Sequence, residues 1–259
     1  MSLDTHSTFG PPAIRKAVVL AAGRGTRLGA LTDDIPKALV DVGGKPLIVH
    51  ALDGLIEAGL AEFMVVTGYR GDQIEYELGN GGGAGVEIRY ARQHHLEGTA
   101  RALALAREWL GSERFFVTWA DVLVPRPNYW RIIRASRTAD AAIAVNFTDE
   151  PSSGAAVYVD SPDGDGLVTR IVEKPARGSS TTNWNNAGLA VLGASAWDYI
   201  DRLTPSPRGE YELPQAVASM VEAGMRIRAI PVEGQWFDVG TPEDLERARA
   251  SFSRQPKEA

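Results

Sequence analysis

The sequence predicts an α/β protein in three layers, α/β/α, around a mostly parallel, mixed central sheet with a small antiparallel insertion. Three observations carry this reading. Short β-rich apolar runs alternate with amphipathic helical segments up to Asn146, the sign of βα units. The first run, Lys16 to Ala22, is apolar on both faces, as a central parallel strand is. From Pro151 the rhythm changes to apolar runs joined by a Gly/Asp turn, which reads as antiparallel pairing.

Taken in order, the strand from Lys16 leads into a glycine- and arginine-rich loop. A helix then starts at Pro46, with Leu47, Ile48, Ala51, Leu52, Leu55 and Ile56 on one face, and ends at Gly59. Strands follow at Phe63 to Thr67 and Val86 to Ala91, with a helix near Asp72 to Leu78 between them. One helix is expected over Thr99 to Leu110, a strand over Arg114 to Trp119, a helix over Tyr129 to Ser136 and a strand over Ala141 to Asn146. After the antiparallel pair come a strand at "NNAGLAVLG", helices at Ala196 to Leu203 and Leu213 to Ala223, and a strand at Arg226 to Val232. The last helix, Pro242 to Phe252, has Thr241 as its cap and Glu243 and Asp244 in its first turn. No internal repeat and no long linker divides the chain, so the second half reads as an insertion-bearing completion of the same sheet. Residues 1–15 read as a loose polar arm and 253–259 as a tail.

Composition narrows the function classes. The chain has 259 residues, enough for one large domain with a full core. A net charge of −6 argues against general affinity for nucleic acid or anionic membrane, so a local basic cluster has specific work to do. With no cysteine, disulfides, thiolate catalysis and cysteine metal sites are excluded. No apolar run reaches membrane-spanning length and the start lacks a signal-peptide core, so the expected location is the cytoplasm.

The basic cluster is the loop "GRGTR", Gly23 to Arg27, directly after a strand, where open α/β sheets place ligands. Glycines there bring backbone N–H groups close to phosphate oxygens, and Arg27 adds a charge-assisted fork. A dinucleotide-binding turn fits poorly, because the third glycine of G-x-G-x-x-G falls on Leu28. A P-loop fits poorly too, because "GGKP" lacks the preceding glycine spacing and the Ser/Thr after its lysine. A triphosphate loop of another kind, with Lys37 returning over the phosphates, and a plain tight turn remain.

The wider segment decides between them. L-A-A-G-x-G-T-R-L, then P-K-A-L, then G-K-P-L, resembles the signature of the sugar-1-phosphate nucleotidylyltransferases, the NDP-sugar pyrophosphorylases. "VVTGYRGDQI", "QHHLEGTARAL", "WADVL", "VEKP", "NNAGL" and "WFDVGTPEDL" follow in the order that family has, so the likeness runs from about Lys16 to Phe252. It implies a Rossmann-like nucleotidyltransferase domain over residues 16–252, with a nucleotide-binding part at about 16–146 and a sugar-binding part at about 147–235. It implies attack of a sugar 1-phosphate on the α-phosphorus of a nucleoside triphosphate, chemistry that rests on positioning and charge stabilisation.

Carried over residue by residue, the resemblance makes Arg27 and Lys37 the catalytic cations, on the β/γ-phosphates and the α-phosphate respectively. Ala21, Ala22, Gly23, Gly25 and Thr26 line the nucleotide with Gln93, Gly98 and Thr99, the last three framing the base. Glu173 and Lys174 clamp the sugar and its phosphate, with Asn186 and Gly188 lining that pocket. Asp121 and Asp238 hold Mg²⁺, whose preference is for hard oxygen ligands. Ala120 departs from the glycine usual before the metal aspartate. Arg24 is open between a phosphate contact and a surface role, Lys45 is read as solvent-facing, and His94 and His95 are expected outside any metal site. Gln93 favours UTP or dTTP, whose bases offer an N–H beside a carbonyl; GTP is the main competitor. A CTP-dependent cytidylyltransferase acting on a phospho-alcohol and a non-catalytic nucleotide-sugar sensor are the rival functions.

Overall fold

In the computed structural model, which describes residues 14–252, the chain opens on the strand the sequence predicts. β1 (Lys16–Ala21) is followed by two 3-10 turns, at Thr26–Thr32 and Lys37–Leu39, and a small ribbon of β2 (Asp41–Val42) and β3 (Lys45–Pro46). Next come α1 (Leu47–Glu57), β4 (Glu62–Thr67), α2 (Gly71–Leu78) and β5 (Glu87–Arg92). α3 (Thr99–Ala104) and α4 (Arg107–Leu110) precede β6 (Phe115–Trp119), β7 (Val122–Leu123), α5 (Pro127–Ala135) and β8 (Ala141–Phe147). The second half holds β9 (Ala155–Val159), β10 (Gly166–Glu173), β11 (Trp184–Leu192), α6 (Ala196–Asp201) and α7 (Leu213–Glu222). β12 (Ile227–Pro231), β13 (Phe237–Asp238) and α8 (Pro242–Phe252) complete the described chain.

Nine strands form one sheet in the order β5-β4-β1-β6-β11-β8-β12-β10-β9. β1 is central and parallel to both neighbours, β4 and β6, which accounts for its apolar residues on both faces. β11 enters antiparallel between β6 and β8, so a strand of the second half is threaded through the first. β9 and β10 pair antiparallel, as their Gly/Asp turn predicts, and Asn185 of β11 pairs back to Ala156 of β9. The second half therefore does complete the same sheet. One face is covered by α3, α6 and α7, packed with Val18, Phe115, Val117, Ile143, Trp197 and Met220. The other face packs Val19, Phe63, Phe116, Tyr129, Leu189 and Val191 beneath α1 and α5. A third, smaller cluster joins Leu28, Val42, Leu47, Leu123, Val239 and Leu245, tying the glycine loop to α8.

Two expectations need correction, and one feature was not foreseen. Ile14 is 2% exposed and Arg15 accepts the N–H groups of Ala61 and Glu62, so these two residues belong to the fold; residues 1–13 of the expected arm, and the expected tail at 253–259, lie outside the described residues. The single helix expected over Thr99 to Leu110 is two. Leu105 and Ala106 donate to Ala102 and Leu103 in tightened turns, which keeps Ala106 and Leu110 on the buried side. The two-residue ribbons were not expected, and β7 with β13 is the one that builds the site.

Candidate active site

The glycine loop hangs from the end of β1. Gly25 adopts φ 72°, a left-handed conformation that glycine enters without a Cβ penalty, and the turn it caps has no side-chain cap. A Cβ at Gly25 would lie 2.8 Å from the Cβ of Lys37, so the missing side chain is what lets the lysine stem pack against the loop. The Gly25 carbonyl accepts from the Leu28 N–H at 2.9 Å and the Thr32 hydroxyl at 3.0 Å, which fixes the loop's far side. Buried Leu28 anchors it in the third cluster.

Lys37 is not a solvated loop residue: it is 9% exposed. Its ammonium donates to Asp121 Oδ2 in a close ion pair and lies 3.9 Å from Asp238 Oδ1. The two aspartates come together because β13 pairs antiparallel with β7, setting Asp238 opposite Val122, while the Val239 N–H donates to the Asp121 carbonyl at 3.0 Å. Arg27 reaches the same place from the loop. Its guanidinium lies against Gly240, where a Cβ would stand 2.8 Å from Nη2. Ala120 is buried, and its methyl is part of the core cluster beneath α1 and α5.

Two carboxylates and two cations thus converge below the glycine loop. About half of the Asp238 side chain is exposed, yet the surrounding protein pushes its carboxyl up to about 6. Burial is the largest cause and the Asp121 charge the next; Lys37 and Arg27 pull the other way. Such a pair suits a cation, and the lysine ammonium already bridges it. Among the described residues no three His, Asp or Glu side chains cluster to enclose a metal ion. A divalent cation here would take its other ligands from phosphate and water, the ligand set Mg²⁺ prefers.

The residues expected to frame the base also make contacts within the chain. Gln93 is buried, and its Nε2 donates one N–H to the Gly98 carbonyl at 3.2 Å, leaving the amide oxygen and the second N–H for a base. Gly98 has φ 100°, and a Cβ there would stand 2.6 Å from the Tyr211 carbonyl oxygen. The Thr99 hydroxyl accepts the Leu213 N–H at 2.8 Å, at the start of α7. Gly98 and Thr99 therefore dock the chain around Tyr211, a role their motif did not reveal. His94, His95 and Lys45 are exposed, as read from the sequence; Lys45 also pairs with Asp53 at 2.7 Å.

Glu173 and Lys174 sit at the end of β10. Lys174 has φ 43°, disfavoured for a residue with a side chain, and its N–H donates to the Gly154 carbonyl at 3.0 Å. Burial raises the Glu173 carboxyl above its usual range, with Lys174 and Arg208 opposing. The Asn186 amide oxygen is taken by the Gly188 N–H at 2.9 Å, and Gly188, at φ 82°, lets β11 bulge over Trp119 and Val122. Sequence reasoning missed the segment "RGEYE". Arg208 lies 3.7 Å from Glu173 and binds buried Glu212 more closely. A run of alternating charge just before a helix was the available signal. Trp236 was missed as well; its indole N–H donates to the Ala187 carbonyl at 2.9 Å, tying β11 to the strand that carries Asp238.

A glycine loop at the end of an interior parallel strand, faced by a lysine, an arginine and two aspartates, is an arrangement suited to an α/β protein that handles phosphate esters. The nucleotidyl transferase family model matches residues 16–255, and the chain belongs to that family. It is 33% identical over 253 residues to the UTP–glucose-1-phosphate uridylyltransferase AglF of Haloferax volcanii, covering 94% of this chain and 99% of that one. It is 35% identical to the low-salt glycan biosynthesis nucleotidyltransferase Agl11 of the same organism, covering 89% of this chain but only 64% of that protein's length. Among solved structures, UDP-glucose pyrophosphorylase complexed with UDP-glucose superposes with a TM-score of 0.83 at 22% identity, covering 94% of this chain and all of that one.

Proposed function

We propose that the protein transfers a nucleoside monophosphate from UTP or dTTP to a sugar 1-phosphate, with Mg²⁺, forming an NDP-sugar and pyrophosphate. The observation that carries this is the Lys37 ammonium set between Asp121 and Asp238 beneath the glycine loop. The relatives add support, since AglF is named for UTP and glucose 1-phosphate and a Streptomyces griseus relative, 32% identical, for thymidylyl transfer to glucose 1-phosphate.

In this reading a sugar phosphate oxygen attacks the α-phosphorus in line, and the bond from that phosphorus to pyrophosphate breaks. Lys37 neutralises charge on the α-phosphate and on the incoming phosphate, holding two anions within reach of each other. Arg27 meets the charge growing on the departing pyrophosphate. Asp121 and Asp238 would hold Mg²⁺, which would supply positive charge against the α-phosphate. The Gln93 oxygen accepts the ring N–H of uracil or thymine. Glu173 accepts sugar hydroxyls, Lys174 takes the sugar phosphate, and Asn186 and Gly188 shape that side. On this assignment the nucleotide part is 16–146 and the sugar part 147–235, working in the cytoplasm; no helix among the described residues is long and apolar enough to cross a membrane.

A panel of nucleoside triphosphates against sugar 1-phosphates and phospho-alcohols, scored by pyrophosphate release, tests the reading. Turnover confined to CTP with a phospho-alcohol would replace the acceptor, and no turnover with any pair would leave a binding protein.

A further inference from the structure

Arg24 stands between the two glycines of the loop, exposed, in a chain of net charge −6. It has no carboxylate within salt-bridge distance among the described residues. Its guanidinium is nonetheless held in place, 5.1 Å from the centre of the Tyr69 ring. The same ring carries a second guanidinium, that of Arg70, at 5.6 Å. Arg70 is tied down differently: its Nε donates to the Tyr69 hydroxyl at 3.0 Å and its Nη2 lies 3.5 Å from Asp34. The ring itself is fixed at both ends, by its hydroxyl donating to the Asp33 carbonyl at 2.8 Å and its backbone N–H donating to the Ala22 carbonyl. The turn is retained although Arg70 sits at φ 49°, where side chains are disfavoured.

Stacking on a ring occupies the face of a guanidinium and leaves its N–H edge open. Arg24 is therefore oriented with its donors unspent among the described residues, beside the glycine loop and Arg27. An arginine with no carboxylate partner among the described residues, fixed in such a place, calls for an anion.

We propose that Arg24 is a further phosphate-binding residue, meeting the terminal phosphate of the bound triphosphate and hence the pyrophosphate that leaves. This rests on the transferase reading above. Tyr69 is its positioning residue, fixing the plane of the fork before the phosphate arrives.

The test is calorimetric titration of the protein with inorganic pyrophosphate in the presence of Mg²⁺. Arg24→Ala should weaken pyrophosphate binding by about tenfold or more, the loss expected for a hydrogen bond to a charged group. Arg24→Lys should recover only part of this, because an ammonium has no planar fork. Tyr69→Leu should fall between, and Tyr69→Phe, which keeps the ring but loses its hydroxyl anchor, should lose less than Tyr69→Leu. Circular dichroism and melting temperature check each fold. Pyrophosphate affinity within twofold of wild type in Arg24→Ala overturns the proposal, as does a wild-type protein that does not bind pyrophosphate. The function fails separately, if wild type binds pyrophosphate but turns over no donor–acceptor pair.

Discussion

Lys37 is buried by a glycine on one side and two carboxylates on the other, so its charge is already committed to a place before any substrate arrives. Lys37→Ala and Arg27→Ala should each lose about two orders of magnitude in turnover, the usual cost of one charge-stabilising contact. Near-wild-type pyrophosphate release from folded Lys37→Ala would show that the loop binds no reacting phosphate. Gln93→Ala should raise the preferred donor's KM and flatten the ranking among bases, because the one free acceptor goes; a donor panel with unchanged order refutes this. Asp238 adds a pH dependence. Its folded value of about 6 lies above its unfolded value, so the folded state binds the extra proton and is favoured in acid. Metal-free wild type should lose that advantage as pH rises from the ordinary carboxylate range through 6. Asp238→Asn lacks the group, so its melting temperature should gain on wild type between pH 4.5 and 7.5; a constant gap would contradict the raised value.

At the scale of elements, the most informative contact is Thr99 with α7. A hydroxyl accepting the first helical N–H is worth about 1 kcal/mol, and Thr99→Val should cost that in stability while Thr99→Ser retains it. If Thr99→Val instead leaves the melting temperature untouched and raises the KM for the triphosphate, the residue faces the nucleotide after all. The long periodic elements were legible beforehand, since β1, α1, β4 and β8 each announce themselves by a pattern that burial imposes. The glycine loop and its partners were legible through motif spacing. What local pattern could not show was β7 and β13, two residues each, whose pairing exists only because distant segments meet. The same limit hid the use of Gly98, whose partner backbone lies at Tyr211, and the broken helix after Ala104, where tertiary packing overrides a continuous apolar face.

For the molecule as a whole, the acidic surface and the basic loop oppose one another, and a divalent cation would balance the site. Activity should vanish with EDTA and return with added Mg²⁺, while Asp121→Asn should stay inactive at saturating metal. Full activity of the chelated protein would remove the metal from the mechanism. The threading of β11 between β6 and β8 has a further result. During synthesis, β1 and β6 leave the ribosome long before the strand that must close their open edge. Lys37 likewise emerges well ahead of Asp238, its last partner. Every prefix of the chain that stops before β13 thus lacks part of the charge arrangement. A product interrupted before β11 in addition leaves the β6 edge unpaired, a template for pairing with another chain.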